Sequence, residues 1–308
     1  MSRYLSIALV TLLVSTEWIE EQKITVNVDL VNIYFTVCNK KGHPIVNLDR
    51  DSFSVLEDGK RQSITNFSRE ADVPLTLAVL IDTSGSVRHK LALERDAIID
   101  FLNTTLRPGL DKATILTFDS DVQLRQDYTA DAALLSTAVK GIRAGGGTRL
   151  YDALHFVVDS LNSRDDRKVL IVVTDGDDKS SRHSPTEVIE LAQRNNVAIY
   201  AISVNGLDDR PDGSDTSDRI LEMIAVETGG IGLFPTKPKG LIADFDRINN
   251  ELHSRYTLAY RSTNPNRDGT FRRVEILSKN HQYAVHSRSG YYAPQSITNL
   301  TPHEQSRQ

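Results

Sequence analysis

The chain has 308 residues, 39% of them hydrophobic and 25% charged, ordinary proportions for a globular protein with material for one large core or two smaller ones. A formal charge of -5, a pI near 5.9 and the lack of any Lys/Arg-rich block exclude an electrostatic trap for nucleic acid or for an anionic membrane surface. With Cys38 as its single cysteine, the chain has no disulfide framework and no Cys-based zinc site, and Cys38 reads as a buried strand residue.

Residues 1–16 combine Arg3, an apolar run from Leu5 to Val14, and the small pair Ser15-Thr16. That is the pattern of a secretory signal peptide, too short for a membrane span. The expectation is a secreted or periplasmic protein of bacterial type, with no membrane span in the mature chain.

From 24 to 70 the chain reads as β. Ile24, Val26, Val28 and Leu30 alternate at period two, and the phase shifts near Leu30-Val31, so this is two strands or one strand with a bulge. Phe53 to Glu57, Asp58-Gly59, and Gln62 to Phe67 read as a hairpin, because Asp-Gly supplies the positive φ angles of a tight turn.

Across 74–252 strands alternate with helices. The predicted strands are Leu75 to Asp82, Ala113 to Phe118, Val122 to Arg125, Val169 to Thr174, Ala198 to Val204 and Gly232 to Phe234. Helical patterns cover Lys90 to Leu106, Ala132 to Ile142, Leu150 to Leu161, Pro185 to Asn195, Arg219 to Thr228 and Leu241 to Tyr256. Ser184-Pro185-Thr186-Glu187 is a capping box with proline at the first helical position. β-branched strands alternating with helices imply an α/β fold: a doubly wound, mostly parallel sheet covered on both faces, with ligands bound at the carboxyl ends of the strands. Residues 255–293 are β again. Small sheets are marginal alone, so the halves 24–70 and 255–293 are expected to pair into one small sandwich or sheet into which the α/β domain is inserted. Residues 294–308 are polar and aperiodic, a loose tail.

Three strand ends carry the chemistry. Leu75 to Ile81 ends in Asp82-Thr83-Ser84-Gly85-Ser86, a spacing that turns one carboxylate and two hydroxyls toward one point, with Gly85 easing the turn. Gly145-Gly146-Gly147 frees Thr148 to bring another hydroxyl, and Val169 to Thr174 delivers Asp175. The set is all oxygen, which selects a hard cation: Mg²⁺ first, Mn²⁺ next, Ca²⁺ third, and zinc disfavoured. Two carboxylates leave a dication poorly neutralised, so a partner's Asp or Glu could complete its shell. This suits metal-bridged binding better than water activation, for which a general base or second metal would be wanted. Asp177 and Asp178 read as a solvated acidic loop, Asp208 to Asp218 as a flexible loop near the site, and His155 and His183 as surface residues.

Asp82-Thr83-Ser84-Gly85-Ser86, Thr148 and Thr174-Asp175-Gly176 resemble the metal-ion-dependent adhesion site of the von Willebrand factor type A domain, and Thr148-Arg149-Leu150-Tyr151-Asp152-Ala153-Leu154 is similar to that family's helix after its threonine loop. The flanks, Val55-Leu56-Glu57-Asp58-Gly59 and Arg288-Ser289-Gly290-Tyr291-Tyr292 among them, resemble exported bacterial proteins called VWFA-related. The resemblance, covering about 74 to 252, implies a Rossmann-like domain. It also implies Mg²⁺ held by the hydroxyls of Ser84, Ser86 and Thr148, and by Asp82 and Asp175 directly or through water. The expected function is a non-enzymatic, metal-dependent protein-binding module. The alternatives are a metal-dependent hydrolase, or a structural component of an envelope or secretion assembly in which the metal only stabilises.

Overall fold

In a computed structural model, residues 30–69, 73–162, 167–207 and 216–295 are described. The predicted signal peptide and all but the first two residues of the predicted tail lie outside them, as do the stretch 24–29 and residues 208–215 of the loop expected near the site.

The first β segment supplies β1 (Leu30–Asn39), β2 (Phe53–Glu57), β3 (Lys60–Gln62) and β4 (Ile64–Arg69). The α/β region runs β5 (Leu75–Asp82), α1 (Leu91–Thr105), β6 (Lys112–Phe118), β7 (Val122–Thr129), α2 (Ala132–Lys140), α3 (Leu150–Ser160), β8 (Arg167–Thr174), α4 (Pro185–Asn195), β9 (Val197–Ser203), α5 (Thr216–Thr228), β10 (Gly232–Leu233) and α6 (Pro238–Leu252). The chain closes with β11 (Arg255–Arg261), β12 (Phe271–Ser278), β13 (Tyr283–Ser287) and β14 (Gly290–Tyr292).

The central sheet has six strands in the order β10-β9-β8-β5-β6-β7, parallel except for β7 at one edge. All eight residues of β5 are buried, which is why its sequence is a continuous apolar run rather than an alternation. Alternate β5 side chains enter different cores: Leu77, Val79 and Ile81 pack with α1, α2 and α6, while Ala78 and Leu80 pack with α3, α4 and α5. The chain winds outward from β5 in both directions, so the β5/β8 boundary is the switch point at which an open α/β sheet leaves a crevice.

The flanking segments pair with each other as expected, in two sheets: β13-β1-β11-β4 and β14-β12-β2-β3. Val31, Ile33, Phe35 and Val37 of β1 meet Phe53, Val55, Tyr256, Leu258, Tyr260, Val274 and Ile276 in the core between them. Asp58 and Gly59 have φ of 47° and 76° and form the expected turn. The second arm of that hairpin divides, however. β3 stays with β2, whereas β4 crosses to pair with β11 in the other sheet. The division at Ser63 lets one short run serve both layers. The helix expected to reach Tyr256 ends at Leu252, because Tyr256, Leu258 and Tyr260 follow a period of two that puts their rings into the sandwich. It begins earlier than expected, with Pro238 in the first turn where a missing N–H costs nothing. β7 outruns its prediction by four residues; its exposed edge position permits the polar sequence that hid it.

Candidate metal centre

The five predicted ligands stand at the carboxyl ends of β5 and β8 and on the loop before α3. Asp82, Ser84, Thr148 and Asp175 are buried, and Ser86 is exposed at the rim. Asp82 Oδ1 accepts from Ser84 N at 2.8 Å, folding the loop back over its own carboxylate. The Ser84 and Ser86 hydroxyls lie 2.9 Å apart, so both point into one small volume. Across the switch point Thr174 donates to Asp82 Oδ2 at 2.7 Å and accepts from Gly176 N at 3.0 Å, locking the ends of β5 and β8 together.

The three loops are stitched directly to one another. Gly145 N donates to Thr83 O at 2.7 Å and Gly85 N to Gly146 O at 3.3 Å, joining the Thr148 loop to the Asp82 loop. Lys179 N donates to Thr148 O at 3.2 Å, joining it to the Asp175 loop. Gly146 makes this approach at φ 109°, and a Cβ there would lie 2.8 Å from the Asp119 carboxylate, so only glycine fits. Asp178, read from sequence as solvated, accepts from Leu150 N at 2.8 Å and caps α3. His155 and His183 are half-buried rather than superficial: their rings stack 3.8 Å apart, and His183 Nδ1 pairs with Asp152 Oδ1 at 2.8 Å.

Burial pushes the Asp82 carboxyl up to about 6, and the charge of Asp175 adds to the effect, while hydrogen bonds from Thr174 and Ser84 oppose it. Deeper still is Glu94 on α1. It is fully buried, and among the described residues neither of its oxygens has a hydrogen-bond partner. Burial, with the charge of Asp82 and then Asp175 adding and Lys90 opposing, pushes Glu94 up to about 8. Sequence reading passed over this residue. The signal was a carboxylate between Leu91 and Ile98 on the helix face that otherwise supplies the core. Acidic groups that act on one another in this way, their cost only partly offset by Thr174, Ser84 and Lys90, suit a cation in their midst. The all-oxygen donors are the chemistry of Mg²⁺ or Mn²⁺ rather than of zinc. A groove of about 590 Å³ between Asn196, Arg261, Arg272, Arg288 and Tyr292 shares no residue with these loops.

A mostly parallel six-stranded sheet with three helices on each face, and a loop cluster at its switch point, define a Rossmann-like α/β domain. The profile of the von Willebrand factor type A domain matches residues 76–237, more than half of the chain, and the protein belongs to that family. Similar solved structures include proximal thread matrix protein 1 from the mussel byssus, at 19% identity and TM-score 0.51, covering 64% of this chain and 51% of that one. The D319A mutant of the PilB minor pilin from Streptococcus sanguinis has 13% identity and TM-score 0.50, covering 60% and 62%. A von Willebrand factor type A protein from Catenulispora acidiphila, at 15% identity and TM-score 0.49, covers 89% of this chain and 76% of that one. This chain thus spans between half and two thirds of the length of the first two. Comparison with curated proteins gives no match.

Proposed function

We propose that the protein is a divalent-metal-dependent protein-binding module, exported from the cell, in which Asp82, Ser84, Ser86, Thr148 and Asp175 hold Mg²⁺, with Mn²⁺ or Ca²⁺ able to substitute. The supporting observation is the convergence of three loops, stitched to one another by backbone hydrogen bonds, on a buried pair of carboxylates at the switch point. When bound, the metal supplies a Lewis-acidic position that an acidic side chain can fill. The chain's own residues do the rest. Thr174 and the Ser84 amide each hold one oxygen of Asp82, and Thr148 and Asp175 are buried beside them on loops joined by the Lys179 N to Thr148 O hydrogen bond. Exposed Ser86 leaves the near side open to a partner carboxylate. Family membership favours interaction over catalysis.

The test is calorimetry of the full chain with Mg²⁺ and Mn²⁺, together with capture of Asp- or Glu-containing peptides in metal or in chelator, each repeated for Asp82→Ala. Metal uptake, and peptide capture that depends on the metal, on the acidic residue and on Asp82, are expected. Capture unaffected by chelator, or no uptake by the folded protein, would overturn the assignment.

A further inference from the structure

The seam between the β sandwich and the α/β domain brings together three residues that sequence keeps far apart. Cys38 lies on β1 and His286 on its neighbour β13, where the strands pair Thr36 with His286 and Cys38 with Ala284. The even-numbered side chains of β1 from Tyr34 onward point away from the sandwich core, which takes Val31, Ile33, Phe35 and Val37. They face the end of α6, where Glu251 is completely buried. Glu251 Oε1 lies 2.8 Å from His286 Nδ1 and 3.9 Å from Cys38 Sγ, and the three potential ligand atoms all fall within 4.8 Å of one another.

We propose that Cys38, Glu251 and His286 form a second metal site, selective for Zn²⁺, that ties the β module to the α/β domain. It is independent of the site at the switch point.

Zinc bond lengths of about 2.0–2.1 Å to N or O and about 2.3 Å to S put neighbouring ligand atoms of a tetrahedron roughly 3.3–3.8 Å apart. The separations of 2.8 and 3.9 Å straddle that span and the third, between the Cys38 and His286 ligand atoms, is within 4.8 Å, so an ion enters after side-chain shifts of about 0.5–1 Å. The donors are a thiolate, an imidazole and a carboxylate, a borderline-soft set that the hard oxygens at Asp82 do not resemble. Charge also balances: a thiolate and a carboxylate neutralise a dication, removing most of the cost of burying all three. On binding, the Cys38 thiol proton leaves to solvent, and the His286 ring ligates through an unprotonated Nδ1 with its hydrogen on Nε2.

The surroundings hold the carboxylate in place. Tyr200 OH donates to Glu251 Oε2 at 3.3 Å, and the Tyr200 oxygen accepts from Arg255 at 2.6 Å, a relay of the kind that orients metal-ligating carboxylates. His286 is 24% exposed, which gives an entry path and room for water as the fourth ligand. The cations facing the site are Arg247, whose charge acts on Cys38, and Arg255, held off by Tyr200. Burial foremost, with Glu251's charge adding, pushes the thiol up to about 11, so Cys38 carries its proton until a metal displaces it. Counting cysteines had excluded a Cys-based zinc site. One thiolate suffices when the fold supplies the other two ligands.

The experiment uses the full chain carrying Asp82→Ala, so that the first site does not contribute. Co²⁺ is titrated as a spectroscopic stand-in, followed by competition with Zn²⁺. The expected result is one equivalent of bound Co²⁺ with a thiolate-to-metal charge-transfer band and intense tetrahedral ligand-field absorption, both abolished by Zn²⁺. Cys38→Ser should remove the charge-transfer band, and His286→Gln should weaken Zn²⁺ binding by at least about tenfold, since loss even of outer-sphere partners costs roughly that much. Circular dichroism checks that each variant is folded. If Cys38→Ser does not fold, the less buried His286→Gln carries the test alone. A folded protein without the band, or a band and affinity unchanged in His286→Gln, would overturn the proposal.

Discussion

Replacing Glu94 by glutamine should stabilise the metal-free protein, and the gain should grow with pH. Glu94 is buried beside Asp82 and Asp175 and is held up to about 8 against an ordinary 4.5. Between those values the folded state keeps a proton that the unfolded chain releases. Stability therefore falls as pH rises, by about 1.4 kcal/mol per unit. The contribution is fully present below pH 4.5 and lost as pH climbs through 8. By pH 7 the loss is about 3 kcal/mol, and beyond pH 8 about 5 kcal/mol, large beside a typical total stability of about 5–15 kcal/mol. Glutamine has the shape of the protonated acid and does not titrate. Glu94→Gln should therefore match the parent at pH 4.5 and exceed it by about 3 kcal/mol at pH 7. Urea unfolding in chelator, followed by fluorescence and circular dichroism from pH 4.5 to 8.5, measures the gap directly. Adding Mg²⁺ should narrow it, because a dication beside Asp82 and Asp175 lowers the cost of ionising Glu94. A gap that stays constant across this range, or a variant less stable than the parent at pH 7, would refute the reasoning.

Glu57, buried in the sandwich, accepts from Tyr260 at 2.8 Å and Tyr291 at 3.0 Å and lies 3.6 Å from the equally buried Arg272. Glu57→Ala leaves that cation uncompensated and should cost about 3–5 kcal/mol in denaturant unfolding. The Asp131 side chain caps α2 by accepting from Ala133 N at 2.8 Å and Leu134 N at 3.3 Å, so Asp131→Ala should cost about 1 kcal/mol with no change in metal uptake. Gly146→Ala introduces a Cβ at φ 109° against Asp119 and must displace the Thr148 loop; calorimetry should show Mg²⁺ affinity lowered by about tenfold or more while the melting temperature moves by only a few degrees.

The order of elements was legible because local rules agree with the fold along most of the chain. The buried strands β5 and β8 announce themselves as apolar runs, and α4 begins at its capping box, where Ser184 and Glu187 satisfy each other's backbone amides. The loops at the switch point were legible for a related reason. Each is a short-range motif at a strand end, and the doubly wound topology forces strand ends together. Glu94 was missed because burial without a partner is invisible to a pattern that asks only which helix face is apolar. The division of β3 from β4, and the end of α6 before Tyr256, turned on which distant strand was available to pair.

By itself, then, the sequence determined the α/β alternation, the pairing of its β flanks and the oxygen-rich character of the Asp82, Thr148 and Asp175 loops, since these follow from periodicity, turn chemistry and residue type over a few positions. Only the tertiary structure decided that the flanks form two sheets, that a carboxylate lies buried beneath the loops, and that Cys38, Glu251 and His286 converge across 213 and 35 residues of sequence separation. Those outcomes depend on long-range packing, where the cost of burying a charge or a thiol is set by whatever the rest of the chain brings alongside it.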